Sequence, residues 1–208
     1  MKYIVFIFSI FSFSLAAETQ LIDWDLLSPH VSNETIKIPE ITENQRSLLA
    51  SVLYLQTRKD GRSQAELRRV ISVLENQGLD VTETLKARED YMNLERLKAE
   101  TINPQITGNK VRMAGFIVPI EFDGVNATEF LLVPYAGACI HLPPPPANQI
   151  VKLSYPVGFE IENVQYPVWV EGVIKADKQT DEVYLVDGKS NLTMGYTMDG
   201  SLIEKYYE

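Results

Sequence analysis

Hydrophobic residues recur along this chain in three rhythms, and each rhythm predicts a different kind of structure. Over residues 42–101 they return every three to four positions, the spacing of one face of an α-helix. Leu49, Val52 and Leu53 form a first stripe, Leu67, Val70, Ile71 and Leu74 a second, and Leu85, Tyr91, Met92, Leu94 and Leu97 a third. The openings carry capping signatures: Thr42 three residues ahead of Gln45, Ser63 three ahead of Glu66, and Asp80 or Thr82 at the start of the third helix. Gly61 and Gly78 are expected to end the first two helices, and Pro104 bounds the third. The opposite faces carry Arg46, Arg62, Arg68, Arg69, Glu89, Arg96 and Lys98, the composition of solvated helix faces.

From residue 110 the rhythm becomes that of strands. Residues 111–119, 129–133, 150–153, 167–175 and 183–186 are short β-prone runs bounded by Gly, Pro, Asn or Asp. Gly115 and Gly172 fall inside such runs, where a glycine marks a bulge or a sharp bend. Five strands of this kind predict a small barrel of the oligonucleotide/oligosaccharide-binding (OB) type, with a small open sheet or a sandwich as the other arrangement. The expected class is α+β, a helical region of residues 42–104 packed on a five-stranded OB-like barrel of residues 105–208. An extended segment of residues 18–41 precedes them, with Trp24, Leu26 and Leu27 as its anchor onto a core.

The third rhythm is an unbroken one. Lys2 is followed by an apolar and hydroxyl-bearing stretch to Leu15, and Ala16 and Ala17 supply small residues for cleavage, so residues 1–17 read as a secretory signal peptide. A membrane span needs about 18 or more apolar residues, so the stretch is too short for an anchor. The expectation is an exported protein, without stable membrane insertion once the leader is removed.

Composition narrows the function classes. With 208 residues, 45% hydrophobic and 23% charged, the chain has enough apolar material for a packed core. The formal charge is −9, and residues 110–208 hold 7 basic against 13 acidic residues. A nucleic-acid partner is excluded on that ground, because neutralising phosphates takes clustered Lys and Arg. There is 1 cysteine, so no internal disulfide staples the fold, and a lone exported thiol is hidden, bound or used.

That thiol lies in the most unusual segment of the chain, residues 134–149. The segment contains Cys139, His141, one of the 2 histidines, and the run Pro143, Pro144, Pro145, Pro146. Consecutive prolines fix φ and donate no backbone N–H, which predicts a stiff polyproline-II arm on one side of Cys139 and His141. Gly137 on the other side permits a close backbone approach. In an extended segment, side chains two apart point the same way, so thiolate and imidazole converge on one ion, and zinc or copper suits that pair. Glu129, Asp123, Glu121 and His30 are the chain's further candidate ligands, and an exposed site completed by water or a partner is the expected form. Two other readings stand beside metal binding. One is a thiol-dependent enzyme in which His141 activates Cys139, although no third orienting residue accompanies the pair. The other is structural, with Cys139 buried as a small apolar residue. Asn148 and Gln149 are expected to tie down loop backbone.

The run from Gly137 to Gln149, preceded by residues 111–119 and 129–134, resembles the bacterial domain-of-unknown-function family 3299. Trp24-Asp25-Leu26-Leu27-Ser28-Pro29 is similar to that family's early Trp-x-x-Leu-x-Pro element. The resemblance implies an exported protein of a Gram-negative bacterium, in the periplasm and associated with an envelope ABC transporter, with a link to zinc handling. No lipid-attachment cysteine stands at the cleavage site here. The resulting expectation is a non-catalytic periplasmic accessory protein that binds a transition metal through Cys139 and His141.

Overall fold

A computed structural model of the chain describes residues 18–31, 35–138, 144–161, 163–165, 167–185 and 188–206. The expected leader, residues 1–17, lies outside them. The described residues form three helices, α1 (Glu43–Gln56), α2 (Gly61–Asn76) and α3 (Val81–Glu100), all in one stretch of chain. Six strands flank that stretch: β1 (Gln20–Leu21), β2 (Lys110–Asp123), β3 (Asn126–Val133), β4 (Val151–Phe159), β5 (Val168–Leu185) and β6 (Gly188–Lys205). The class is α+β, and the chain divides into a helical unit, His30–Thr101, and a strand unit that joins the residues up to Pro29 with Ile102–Glu208.

In the helical unit, α1 opens as its sequence requires. Thr42 Oγ1 accepts from the Gln45 N–H at 3.2 Å, and Gln45 Oε1 accepts from the Thr42 N–H at 2.9 Å, a reciprocal capping box. The start of α2 corrects the expectation. The cap is Asp60, whose carboxylate accepts from the Ser63 N–H at 2.9 Å, so Gly61 begins this helix and does not end the one before. An ionised carboxylate both accepts that bond and complements the positive end of the helix, which a hydroxyl at Ser63 does only in part. Asp80, rather than Thr82, caps α3, accepting from the Glu83 N–H at 2.8 Å. Leu49, Val52, Val70, Leu74, Leu79 and Val81 form the core of this unit.

The strand unit is a single sheet ordered β1-β2-β3-β4-β6-β5, in which β2 also pairs with β5, so the pairings from β2 to β6 return on themselves. Residues 110–115 of β2 pair antiparallel with β5 and residues 116–123 with β3, the change of partner falling between Gly115 and Phe116. A Cβ on Gly115 would stand 2.8 Å from Leu132 Cδ1 and 2.9 Å from the Val133 carbonyl oxygen, so a missing side chain is what lets β3 approach β2 there. Gly172 sits at a register shift between β5 and β6, where a Cβ would lie 2.5 Å from the Asp199 carbonyl oxygen.

Six strands stand where five were expected, and the difference has two sources. β1 is 2 residues long, too short to show a period. β6 was missed because three glycines and several hydroxyls dilute it, yet Leu192, Met194, Tyr196 and Met198 alternate along it and all four are buried. The run expected at 183–186 is the far end of β5, with Val186 outside the described residues.

Alternation also explains why β3 is buried on both faces. Phe130 and Leu132 point into the main core with Met113, Ile174, Tyr196 and Met198. Leu131 and Val133 point the other way, with Val118, into a second core completed by Val183, Leu192 and Met194 from the distal part of the β5–β6 hairpin. The hairpin therefore continues past the ring of pairings and covers the outer side of β2 and β3.

The segment before the helical unit straps this sheet. The Ile22 N–H donates to the Arg112 carbonyl at 3.0 Å, and Trp24 Nε1 donates to the Ala114 carbonyl at 2.8 Å, satisfying β2 on the edge opposite β5. Leu27 is fully buried, and its carbonyl accepts from the Tyr196 hydroxyl at 2.6 Å. That same hydroxyl accepts from the Asn103 N–H at 2.6 Å, while Asn103 Nδ2 reaches the Leu26 carbonyl at 3.0 Å. Burial pushes the Tyr196 phenol above its ordinary value of 10.0, because the anion would be desolvated.

Tyr196→Phe leaves the buried Leu27 carbonyl and the part-buried Asn103 N–H without their partner, and urea unfolding should show a loss of about 1–3 kcal/mol. The neutral phenol is the form the fold favours. Its contribution is therefore complete below the ordinary value of 10.0 and declines as pH rises through the elevated one, so unfolding measured against pH should show a steeper alkaline decline in wild type than in Tyr196→Phe, which keeps only the part due to raised lysines such as Lys152. Gly172→Ala, with backbone 2.5 Å from the new methyl, should lower the melting temperature and broaden hydrogen exchange across β5 and β6.

Candidate functional site

The candidate site is the connection between β3 and β4, and its described parts are its two ends. On the incoming side Gly137 adopts φ +78°, a left-handed conformation that favours glycine, and the next residue, Ala138, is fully buried in the second core. On the outgoing side Pro144 is exposed and Pro145 buried, and Pro146 has φ −53° and ψ 148°, the polyproline-II region the sequence predicts. A single 3-10 turn, Ala147–Gln149, follows with Ala147 and Asn148 buried, and Ile150 is fully buried beside Ala138, Leu192 and Met194. Cys139, His141 and Pro143 lie outside the described residues.

Gln149 explains the rigidity of the outgoing end. Its Nε2 donates to the Trp24 carbonyl at 3.1 Å and to Ser28 Oγ at 2.6 Å, tying the turn to the strap before the helical unit. The expected role of Gln149, holding backbone, thus extends to a segment 125 residues away in sequence. Gly195 supports the same turn: a Cβ there would stand 2.7 Å from the Ala147 carbonyl oxygen, so β6 needs a glycine where the turn presses on it.

Of the further candidate ligands, Glu121 and Glu129 are cross-strand partners on β2 and β3, and Asp123 and His30 stand elsewhere. Glu129, on β3, faces the Lys152 ammonium at 3.6 Å, and Lys152 in turn contacts Asp181 on the hairpin at 2.9 Å. These two carboxylates hold the Lys152 pKa above its ordinary value, chiefly through the Asp181 hydrogen bond. A cation arriving at Glu129 meets a resident ammonium there. The two ion pairs, with Ile120, Glu121, Val183 and Tyr184, line a cleft of about 390 Å³ between the hairpin and the sheet. Asp123 is exposed at the end of β2, and His30 belongs to the helical unit. Among the described residues, no group of three or more His, Cys, Asp or Glu side chains is placed to hold a metal ion. Sequence reasoning missed the Lys152 cluster because its members come from three strands, and residues 129, 152 and 181 carry no spacing signal.

A mixed sheet whose pairings return on themselves, a separate helical unit and a strap defines an α+β protein built around the β3–β4 connection. The chain belongs to the family described as Protein of unknown function (DUF3299), whose family model matches residues 24–205. The crystal structure of a DUF3299 family protein from Pseudomonas aeruginosa PAO1 has a similar fold, with TM-score 0.52 and 23% identity over 92% of this chain and 98% of that one. An OBody bound to hen egg-white lysozyme aligns with TM-score 0.31 and 14% identity over 51% of this chain and 90% of that one. No curated protein matches the chain.

Gln149→Ala removes both bonds that join the turn to the strap. Unfolding by urea should report a loss of about 1–2 kcal/mol, and amide exchange should accelerate at residues 24–28 while the amides of α1 and α2 keep their protection.

Proposed function

We propose that this protein is an exported, non-catalytic accessory factor of the cell envelope that binds a transition metal, zinc in the first instance, through Cys139 and His141. The observation that carries the reading is the anchoring of both ends of the β3–β4 connection. Ala138, before Cys139, and Ile150, after the proline run, are both fully buried in one core, so the described residues on either side of the pair are held in place. A thiolate and an imidazole two positions apart on such a segment supply a soft and a borderline donor for one ion. Water or a partner protein fills the remaining positions, since Glu129 is engaged by Lys152.

The closed ring of β2, β3, β4, β6 and β5 supports reading the strand unit as an OB-like barrel. OB folds bind ligands over the second and third barrel strands, here β3 and β4. In this chain Leu131 and Val133 on that side of β3 lie under Val183, Leu192 and Met194 of its own hairpin. A ligand is thereby directed to the connection and away from the sheet face. The periplasm is the compartment the signal-like leader fits, and an envelope ABC transporter is the partner the family resemblance points to.

Metal analysis of protein purified without a histidine tag tests the central claim. Wild type should retain zinc after dialysis, and Cys139→Ala and His141→Ala should each lose most of it, with unchanged circular dichroism. Equally negligible metal in all three proteins overturns the claim. Fast alkylation of the thiol near neutral pH that slows in His141→Ala would instead favour a thiol enzyme.

A further inference from the structure

The charge of this chain is unevenly distributed in a way the candidate site does not use. Against an overall −9, residues 58–69 carry five basic residues and two acidic ones, a local charge of +3. They form the turn between α1 and α2 and the first half of α2, and Arg58, Lys59, Arg62, Arg68 and Arg69 are all exposed. Arg69 is paired with Glu66 at 2.6 Å, and Asp60 is occupied as the cap of α2. Lys59, Arg62 and Arg68 have no carboxylate within ion-pair distance among the described residues, so their charges face solvent. Arg62 and Arg69, seven residues apart, lie on one face of α2, and Arg68 stands about 120° round the helix from Arg62, so the unpaired cations flank that face.

Beside the cations stand apolar groups that a solvated face does not need. Tyr54 is 57% exposed at the end of α1, with the Arg58 guanidinium 5.0 Å from its ring centre and bonded to its hydroxyl, and Leu53, also exposed, turns toward the cleft it lines with Ile71 and Leu85. An aromatic ring with a polar tip and a ring of cations is the combination that settles at the headgroup level of a bilayer. A nucleic acid needs a longer basic track than one helical hairpin, and residues 110–208 are acidic throughout, with 13 acidic against 7 basic residues. A planar anionic surface needs only the tip.

We propose that the α1–α2 turn is a membrane-contact surface that binds anionic phospholipid headgroups reversibly, with Lys59, Arg62 and Arg68 supplying the attraction and Tyr54 the interfacial anchor. The contact is independent of Cys139 and His141, and Cys139→Ala should leave it unchanged.

Co-sedimentation of the untagged protein with phosphatidylethanolamine–phosphatidylglycerol vesicles, against pure phosphatidylcholine vesicles, tests it. Wild type should partition to the anionic vesicles, and the partition coefficient should fall about tenfold or more in Lys59→Glu/Arg62→Glu/Arg68→Glu and on raising salt from about 0.05 M to about 0.5 M. The neutral triple variant Lys59→Gln/Arg62→Gln/Arg68→Gln should lie between, and it serves in place of the charge reversal if the latter fails to fold. Equal binding to both vesicle types, or a folded triple variant that binds as wild type does, overturns the proposal. So does displacement by inorganic phosphate that sodium chloride of the same ionic strength does not reproduce, since the patch would then be a site for a free anion.

Discussion

One buried hydroxyl holds the strand unit together at the point where its chain is least continuous. The helical unit interrupts the strand unit between Pro29 and Ile102, and Tyr196 bonds the chain on both sides of that interruption, through Leu27 before it and Asn103 after it. The bond to Leu27 is made inside the core, where its carbonyl has no water to turn to, and the bond to Asn103 is partly buried. The strap is thereby fixed in place, Leu27 enters the core, and Ile22 and Trp24 extend the pairing of β1 along the edge of β2 opposite β5. Gly115 belongs to the same arrangement, since its missing side chain leaves room for Trp24, whose Cζ2 would lie 3.0 Å from a Cβ there.

The second core follows from the length of the β5–β6 hairpin. A sheet that buries one face leaves the other to solvent, yet β3 carries Leu131 and Val133 on its outer side, a costly exposure if they were left bare. The hairpin removes that exposure with Val183, Leu192 and Met194, and the Lys152 ammonium between Glu129 and Asp181 fixes its lateral position with charge. The same core receives Ala138 and Ile150. The ends of the β3–β4 connection are held by the element that closes the sheet, and Gln149 links them to the strap that Tyr196 secures.

Charge separates the two units. The strand unit collects the acidic excess, and residues 58–69 of the helical unit carry five basic residues against two acidic ones. In a chain with a net charge of −9 that stretch supplies a local field of opposite sign. Burial, rather than charge, shapes the remainder: the cap carboxylates of Asp60 and Asp80 and the exposed ion pairs along α2 and α3 adjust helix ends and surfaces without deciding the fold.

What the linear chain determined by itself is whatever depends on neighbours within a few residues. Helical stripes at Leu49 and Val52 or at Val70 and Leu74, the capping box at Thr42 and the extended backbone of Pro146 are all set by local geometry, and each is found where its pattern stands. The alternation of Leu192, Met194, Tyr196 and Met198 was equally local, hidden only by the glycines and hydroxyls between them. What the tertiary structure alone decided depends on partners brought together from a distance. Tyr196 meets Leu27 and Asn103, Gln149 meets Trp24, and Lys152 meets Glu129 and Asp181, because strand pairing places them side by side. Pairing is a property of register between segments, which no spacing along a single segment encodes.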